Sequence, residues 1–163
     1  MADPLEHPAV QRVRAALLAA GAPPRIRVLD ETAHTAVLAA QQLGVPVAAI
    51  CNSLVFATGE PPRAVLVLTS GAHRVDMALA ARALGVDGLR RADADLVRAA
   101  TGFAIGGVAP VGHPAPVPTL LDDDLRQQPS IWAAAGHPRT LFETSFEALL
   151  RMTGATPAVV AGG

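Results

Sequence analysis

The sequence predicts an α/β domain in which a curled mixed β-sheet, approaching a barrel, is ringed by about five peripheral helices. Three observations lead there. Short apolar runs suited to strands recur along the 163 residues, too many and too brief for a doubly wound parallel sheet. Between them lie stretches with helical apolar spacing, each bounded by a capping side chain or a glycine stop. No repeat, low-complexity tract or linker divides the chain, so residues 1–163 read as one domain, long enough to bury a core.

Each element has its own signal. Residues 8–20 carry Val10, Val13, Leu17 and Leu18 at helical spacing, with Pro8 in the first turn and Gly21 as the stop. A short strand is expected over 26–29. Thr32 is placed to cap a second helix over 33–43, which ends at Gly44 ahead of Pro46. Strands at 47–57 and 63–69 follow, joined by the hairpin-type loop Thr58-Gly59-Glu60-Pro61-Pro62. Asp76 caps a helix that runs to Leu84 and is closed by Gly85, and Asp93 starts another that reaches Ala100. Further strands are expected at 117–121, 130–135 and 140–143. Thr144-Ser145-Phe146-Glu147 reads as a capping box ahead of Leu149, Leu150 and Met152. Gly154 ends that helix, and 157–160 returns as a last strand.

Composition narrows the chemistry. The net charge is −1 and the pI about 6.5, so no global positive field draws in nucleic acid. All 13 basic residues are arginine, which removes lysine as a nucleophile, Schiff base or electrostatic clamp. Apart from them, the amine of Met1 is the only one in the chain. A lone cysteine, Cys51, excludes an intrachain disulfide and a cysteine-rich metal cluster. The five histidines, at 7, 34, 73, 113 and 137, lack a ligand spacing such as H-E-x-x-H, so neither a metal nor another cofactor is expected. Mean hydropathy is +0.36, yet no apolar run approaches the roughly 18 residues that a span requires. The start Met1-Ala2-Asp3-Pro4-Leu5-Glu6 is acidic and lacks the apolar core of a signal peptide. A cytoplasmic protein with no membrane partner is the expectation.

The densest functional signal lies at Thr101–Gly112, where four glycines and Pro110 fall within twelve residues. Glycine permits positive φ and close backbone approach, and proline fixes φ while removing a donor; such a loop can aim bare amides at a ligand or simply turn between strands. Pro116–Leu121 followed by Asp122-Asp123-Asp124 reads as a buried strand ending in acids, with a solvated turn and a helix cap as the simplest use of the three carboxylates. Strand alternation puts Cys51 and Asn52 on opposite faces, so an Asn52 that faces a pocket leaves Cys51 as a small buried hydrophobe. Trp132 reads as core. His73 follows a strand, and His137 follows Gly136, where an imidazole could contact a substrate or carry a proton near neutral pH. His34, His113 and His7 read as solvated.

Three segments, taken together, resemble a known family. The first is Thr35-Ala36, Ala39-Ala40 and Leu43-Gly44-Val45, followed by Ile50-Cys51-Asn52-Ser53-Leu54-Val55-Phe56. The second runs from Val65-Leu66-Val67-Leu68 through Val75-Asp76 to Ala83-Leu84-Gly85. The third is Thr101-Gly102-Phe103, Gly106-Gly107-Val108-Ala109-Pro110-Val111-Gly112 and Pro118-Thr119-Leu120-Leu121-Asp122, with Ala135-Gly136 later. Over roughly residues 30–160 the chain is similar to the YbaK/ProX family of aminoacyl-tRNA deacylases, the domain also inserted in many bacterial prolyl-tRNA synthetases.

The resemblance implies that family's curled-sheet fold and a trans-editing hydrolase that splits the ester of a mischarged tRNA, of the tRNA(Pro) type. It implies that the loop from Gly106 through Gly107 to Pro110 holds the ester carbonyl with backbone amides, while water or a substrate group attacks. Preorganised donors at a developing oxyanion are the stabilisation that acyl transfer needs, and no Ser-His-Asp or Cys-His set is evident. Where the family usually carries a lysine that positions the acceptor end, this chain has Asn52, which offers two N–H donors and an acceptor but no charge. Thr35, Ser53, Ser70, His73, Gly102, Thr119, Asp122, Gly136 and His137 are the expected substrate-binding positions. No cofactor is implied. The partners are a tRNA acceptor end, bound weakly by a chain with five aromatics and few basic clusters, and a synthetase that brings the substrate. The competing function class is a degenerate member that binds tRNA, an aminoacyl-adenosine-like ligand or a synthetase without catalysis.

Overall fold

The computed structural model describes residues 3–162; Met1 with its amine, Ala2 and Gly163 lie outside the described residues. The elements in chain order are α1 (Pro8–Ala19), β1 (Ile26–Val28), α2 (Ala36–Leu43), β2 (Ile50–Thr58), β3 (Arg63–Ser70), α3 (Met77–Leu84), β4 (Arg90–Arg91), α4 (Ala94–Thr101), β5 (Thr119–Asp122), β6 (Ile131–Ala134), β7 (Thr140–Thr144), α5 (Phe146–Thr153) and β8 (Thr156–Ala158). Eight strands form one mixed sheet in the order β1-β7-β6-β2-β3-β5-β8, with β4 beside β2. The pairs β2–β6, β3–β5 and β5–β8 are parallel, and the others are antiparallel. The sheet is mixed as expected but stays open, since its end strands β1 and β8 do not pair with each other.

Local chemistry explains most boundaries. Asp76 and Asp93 cap α3 and α4 through their carboxylates, and Gly44, Gly85, Gly102 and Gly154 end four helices in the left-handed region. Several boundaries differ from the sequence expectation, β5 among them, which begins at Thr119 rather than at 117. Thr35, not Thr32, caps α2, its hydroxyl accepting from Leu38 N–H at 3.2 Å. Residues 47–49 form a 3₁₀ turn after Pro46, so β2 begins only at Ile50. Ser145 alone caps α5, accepting from Ala148 N–H, because Thr144 still belongs to β7. The last strand begins one residue and ends two residues earlier than expected, at Thr156–Ala158. β4 was not anticipated; two arginines carry no strand pattern.

Helices cover both faces. On one, Val13 and Leu17 of α1, Val97 of α4, and Phe146 and Leu149 of α5 pack against Cys51, Leu66, Leu68, Ala133 and Phe142. On the other, α2 packs Ala39, Ala40 and Leu43 on Ile50 and Leu141, with half-buried Trp132 alongside, while α3 packs Ala80 near Val67 and Leu120. Strand β3 supplies both cores by alternation, with Leu66 and Leu68 on one side and Val67 on the other, all three fully buried. Each such side chain contributes about 1.5–3 kcal/mol by leaving water.

The glycine-rich loop after α4 is held from behind. The guanidinium of Arg12 donates to Gly102 O and lies 4.4 Å from the Phe103 ring centroid. Thr101 Oγ1 accepts from Phe103 N–H, and His113 Nε2 donates to Ala109 O at 2.8 Å. Burial, with a smaller push from Arg12, holds the His113 pKa below its ordinary 6.5, against the opposing pull of the Ala109 carbonyl. The folded state therefore binds fewer protons there than the unfolded chain. Its stabilising contribution is complete above pH 6.5 and is lost as the pH falls through the lower folded pKa. His113→Gln, which keeps an N–H donor, is expected to flatten the loss of stability between pH 7.5 and 5, read from urea midpoints. An unchanged pH slope would contradict this role.

Candidate active site

The loop and the sheet enclose a cavity of about 360 Å³. Its floor is a gap in strand pairing. β2 pairs with β6 only at Ile50 and Cys51 and with β4 only at Phe56 and Ala57, so residues 52–55 have an open edge. One wall is the start of α2 with the residues before it (Ala33, His34, Thr35, Ala36 and Ala39), and the opposite wall is Ile105, Gly106 and Val108. Ala134, His137, Pro138, Thr140 and Leu141 close the end, and Asn52, Ser53 and Leu54 line the floor. Thr35, Asn52, Ser53, Gly106 and His137 thus come together from separate segments.

The loop's hydrogen bonds decide which amides can serve a ligand. Gly107 N–H donates to Ala104 O at 3.0 Å and is already engaged. Among the described residues, the N–H groups of Gly106 and Val108, both at the cavity, have no protein acceptor. Gly106 holds φ +91° and a Cβ there would meet nothing within 4 Å, so this residue is free to present its backbone. Gly107 and Gly136 serve a different purpose. A Cβ on Gly107 would lie 3.2 Å from Gly136 O, and one on Gly136 would lie 2.9 Å from the backbone of Ala9. These two glycines let the loop, the β6–β7 turn and the start of α1 stack backbone on backbone.

His137 Nδ1 accepts from Arg139 N–H at 3.0 Å, so in the neutral ring the proton sits on Nε2. Burial, and then the charges of His7 and Arg139, hold its pKa below 6.5, which keeps the neutral form dominant near pH 7. In that tautomer His137 is a donor to a ligand oxygen rather than a base. Cys51 is buried on the core side of β2. Burial, helped by the Asp122 charge, pushes its thiol up to about 12, which excludes a thiolate nucleophile at neutral pH.

The other predicted positions lie elsewhere. Gly102 caps α4, and Pro110 and Thr119 line a separate cavity of about 330 Å³ with residues 111–117. Ser70, His73 and Asp122 meet at the end of β3. There Asp122, 2% exposed, accepts from Ser70 N–H (2.9 Å), Thr69 Oγ1 (3.2 Å) and Asp124 N–H (3.1 Å). His73 Nδ1 lies 2.7 Å from Asp122 Oδ2, and its Nε2 lies 3.0 Å from Asp124 Oδ2. The two carboxylates thus clamp opposite edges of one ring and, with the bonds from Ser70 and Thr69, fasten β3 to β5; the three residues also bring one possible ligand atom each within 4.8 Å of the others. His34, read from sequence as solvated, stands at the cavity rim. The apolar wall residues Ala36, Ala39, Ile105, Val108 and Leu141 were not foreseen, because a small or branched apolar side chain looks the same in sequence whether it lines a cavity or a core.

Fold and cavity together define an α/β domain with a concave site between loop residues Gly106 and Val108, whose amides have no protein acceptor, and the open edge of β2. The family model of the aminoacyl-tRNA editing domain matches residues 30–152, and this chain belongs to that family. Among solved structures, a candidate trans-editing enzyme for prolyl-tRNA synthetase is 44% identical, with a TM-score of 0.87 over 96% of this chain and 98% of that one. A scaffold protein used for epitope backbone grafting by computational design is 42% identical, with a TM-score of 0.88 over 96% and 99%. The hypothetical protein APE2540 is 27% identical, with a TM-score of 0.81 over 91% and 98%. No helix among the described residues is long and apolar enough to cross a membrane.

Proposed function

We propose that this chain is a trans-editing deacylase that hydrolyses the ester between an amino acid and the 3′ end of a tRNA of the proline type. The observation that carries this reading is the pair of unengaged amides, Gly106 and Val108, at a cavity whose floor is also polar. Two N–H donors at the ester carbonyl would stabilise the tetrahedral oxyanion, and each such donor is worth about 3 kcal/mol in the barrier. His137 Nε2–H adds a third donor, suited to a ribose hydroxyl or a carbonyl. Asn52 orients the acceptor end by hydrogen bonds alone. Water or a neighbouring substrate hydroxyl attacks, so the inert Cys51 is consistent with the mechanism.

A tRNA is met through its terminus. The net charge of −1 and the scarcity of aromatics favour weak, salt-sensitive affinity, with a synthetase supplying the local concentration of substrate. Asn52, in place of the charged residue usual at this position, favours one second reading: a member that binds aminoacyl-tRNA without hydrolysing it. Deacylation of a panel of Ala-, Cys- and Ser-tRNA(Pro) separates the two, since only the first reading expects turnover.

A further inference from the structure

Ser53 carries the one buried side-chain polar atom without a hydrogen-bond partner among the described residues: its Oγ has less than 1 Å² exposed. Burying a hydroxyl without a partner opposes folding, so such a group asks for a reason. The residue lies on the cavity floor. Gly71 N–H donates to Ile50 O, and the alternation of an antiparallel ladder then turns the backbone groups of Asn52 and Leu54 toward β3 and those of Ser53 and Val55 toward the open edge. Side chains alternate as well. Asn52 stands opposite Thr69, on the α2 face, whereas Ser53 shares its face with Cys51, which belongs to the same core cluster as Val108 and Ala109 of the glycine loop. The loop amides and the Ser53 hydroxyl therefore act from one side, and Asn52 acts from the other.

An aminoacyl ester brings a carbonyl, which accepts, and an α-ammonium, which only donates. The loop amides meet the carbonyl. No Asp or Glu lines the cavity, so the ammonium needs neutral acceptors. We infer that Ser53 C=O and, once its side chain rotates toward the cavity, Ser53 Oγ together hold the substrate's α-ammonium, which makes Ser53 a substrate-contacting residue of the site. This rests on the deacylase reading and deepens it.

The test uses Ser53→Ala and Ser53→Thr, each measured for deacylation rate and for thermal midpoint. Ser53→Ala is expected to slow deacylation by about tenfold to a hundredfold, the worth of a hydrogen bond to a charged group. Its midpoint should stay level or rise, because an unpartnered buried hydroxyl has been removed. Ser53→Thr, which keeps the hydroxyl, should retain most of the rate. The preference of wild type for free over N-acetylated aminoacyl-tRNA should shrink in Ser53→Ala. A wild-type rate in Ser53→Ala, or a midpoint that falls along with the rate, overturns the inference and leaves the deacylase reading standing. Should wild type hydrolyse nothing, binding of 3′-deoxy-3′-(L-alanylamino)adenosine decides. Binding lost in Ser53→Ala supports the inference while the hydrolytic reading fails, and no binding by wild type overturns both.

Discussion

Gly136→Ala is expected to lose about 3–4 kcal/mol of folding stability, read as a lower urea midpoint. Two costs add at this position. A φ of +101° is strained for any L side chain, and the new Cβ would lie 2.9 Å from both C and O of Ala9. Those atoms belong to the first turn of α1, a helix whose Val10, Val13 and Leu17 are buried, so the backbone cannot yield as a flexible side chain would. The damage reaches the cavity too, because Gly107 packs on the Gly136 carbonyl and His137 follows directly. A loss below about 1 kcal/mol, the ordinary effect of a surface change, would show that the turn and helix separate easily and that the stack does not brace the loop.

Gly106→Val should reverse that pattern, sparing the fold and removing the activity. A Cβ at Gly106 meets nothing within 4 Å, so the fold bears only the strain of a β-branched residue at φ +91°, about 1–2 kcal/mol if the conformation is kept. Relief of that strain rotates the loop and carries its two free amides away from the carbonyl they serve. Deacylation is then expected to fall by about a hundredfold to a thousandfold, the effect of losing an oxyanion donor. Gly106→Ala should fall between wild type and valine. A valine variant with the wild-type rate would take the loop out of the chemistry.

The contrast between these glycines marks how far sequence could be read. Helix ends were legible because a cap is local: Asp76, Asp93, Gly85 and Gly154 each act within a few residues of themselves. Failures arose where two local solutions compete, as with Thr32 and Thr35, or where pairing is too short to leave a pattern, as with Arg90 and Arg91. Within the Gly106-Gly107 pair, sequence could not say that one amide is free and the other is spent on Ala104. Nor could it bring His73 to Asp122, 49 positions away, where a carboxylate organises a strand end outside the cavity. The open edge of β2 exists only because β6 stops at one end of it and β4 begins at the other.

Single-turnover deacylation of Ala-, Cys- and Ser-tRNA(Pro) by the wild-type protein, set against spontaneous hydrolysis, shows whether the domain is a hydrolase. At least one of the three esters is expected to be cleaved far faster than in buffer, and that cleavage to disappear with Gly106→Val. Hydrolysis at the spontaneous rate for all three, from folded protein, would contradict the deacylase reading and leave a domain that binds aminoacyl ends without cutting them.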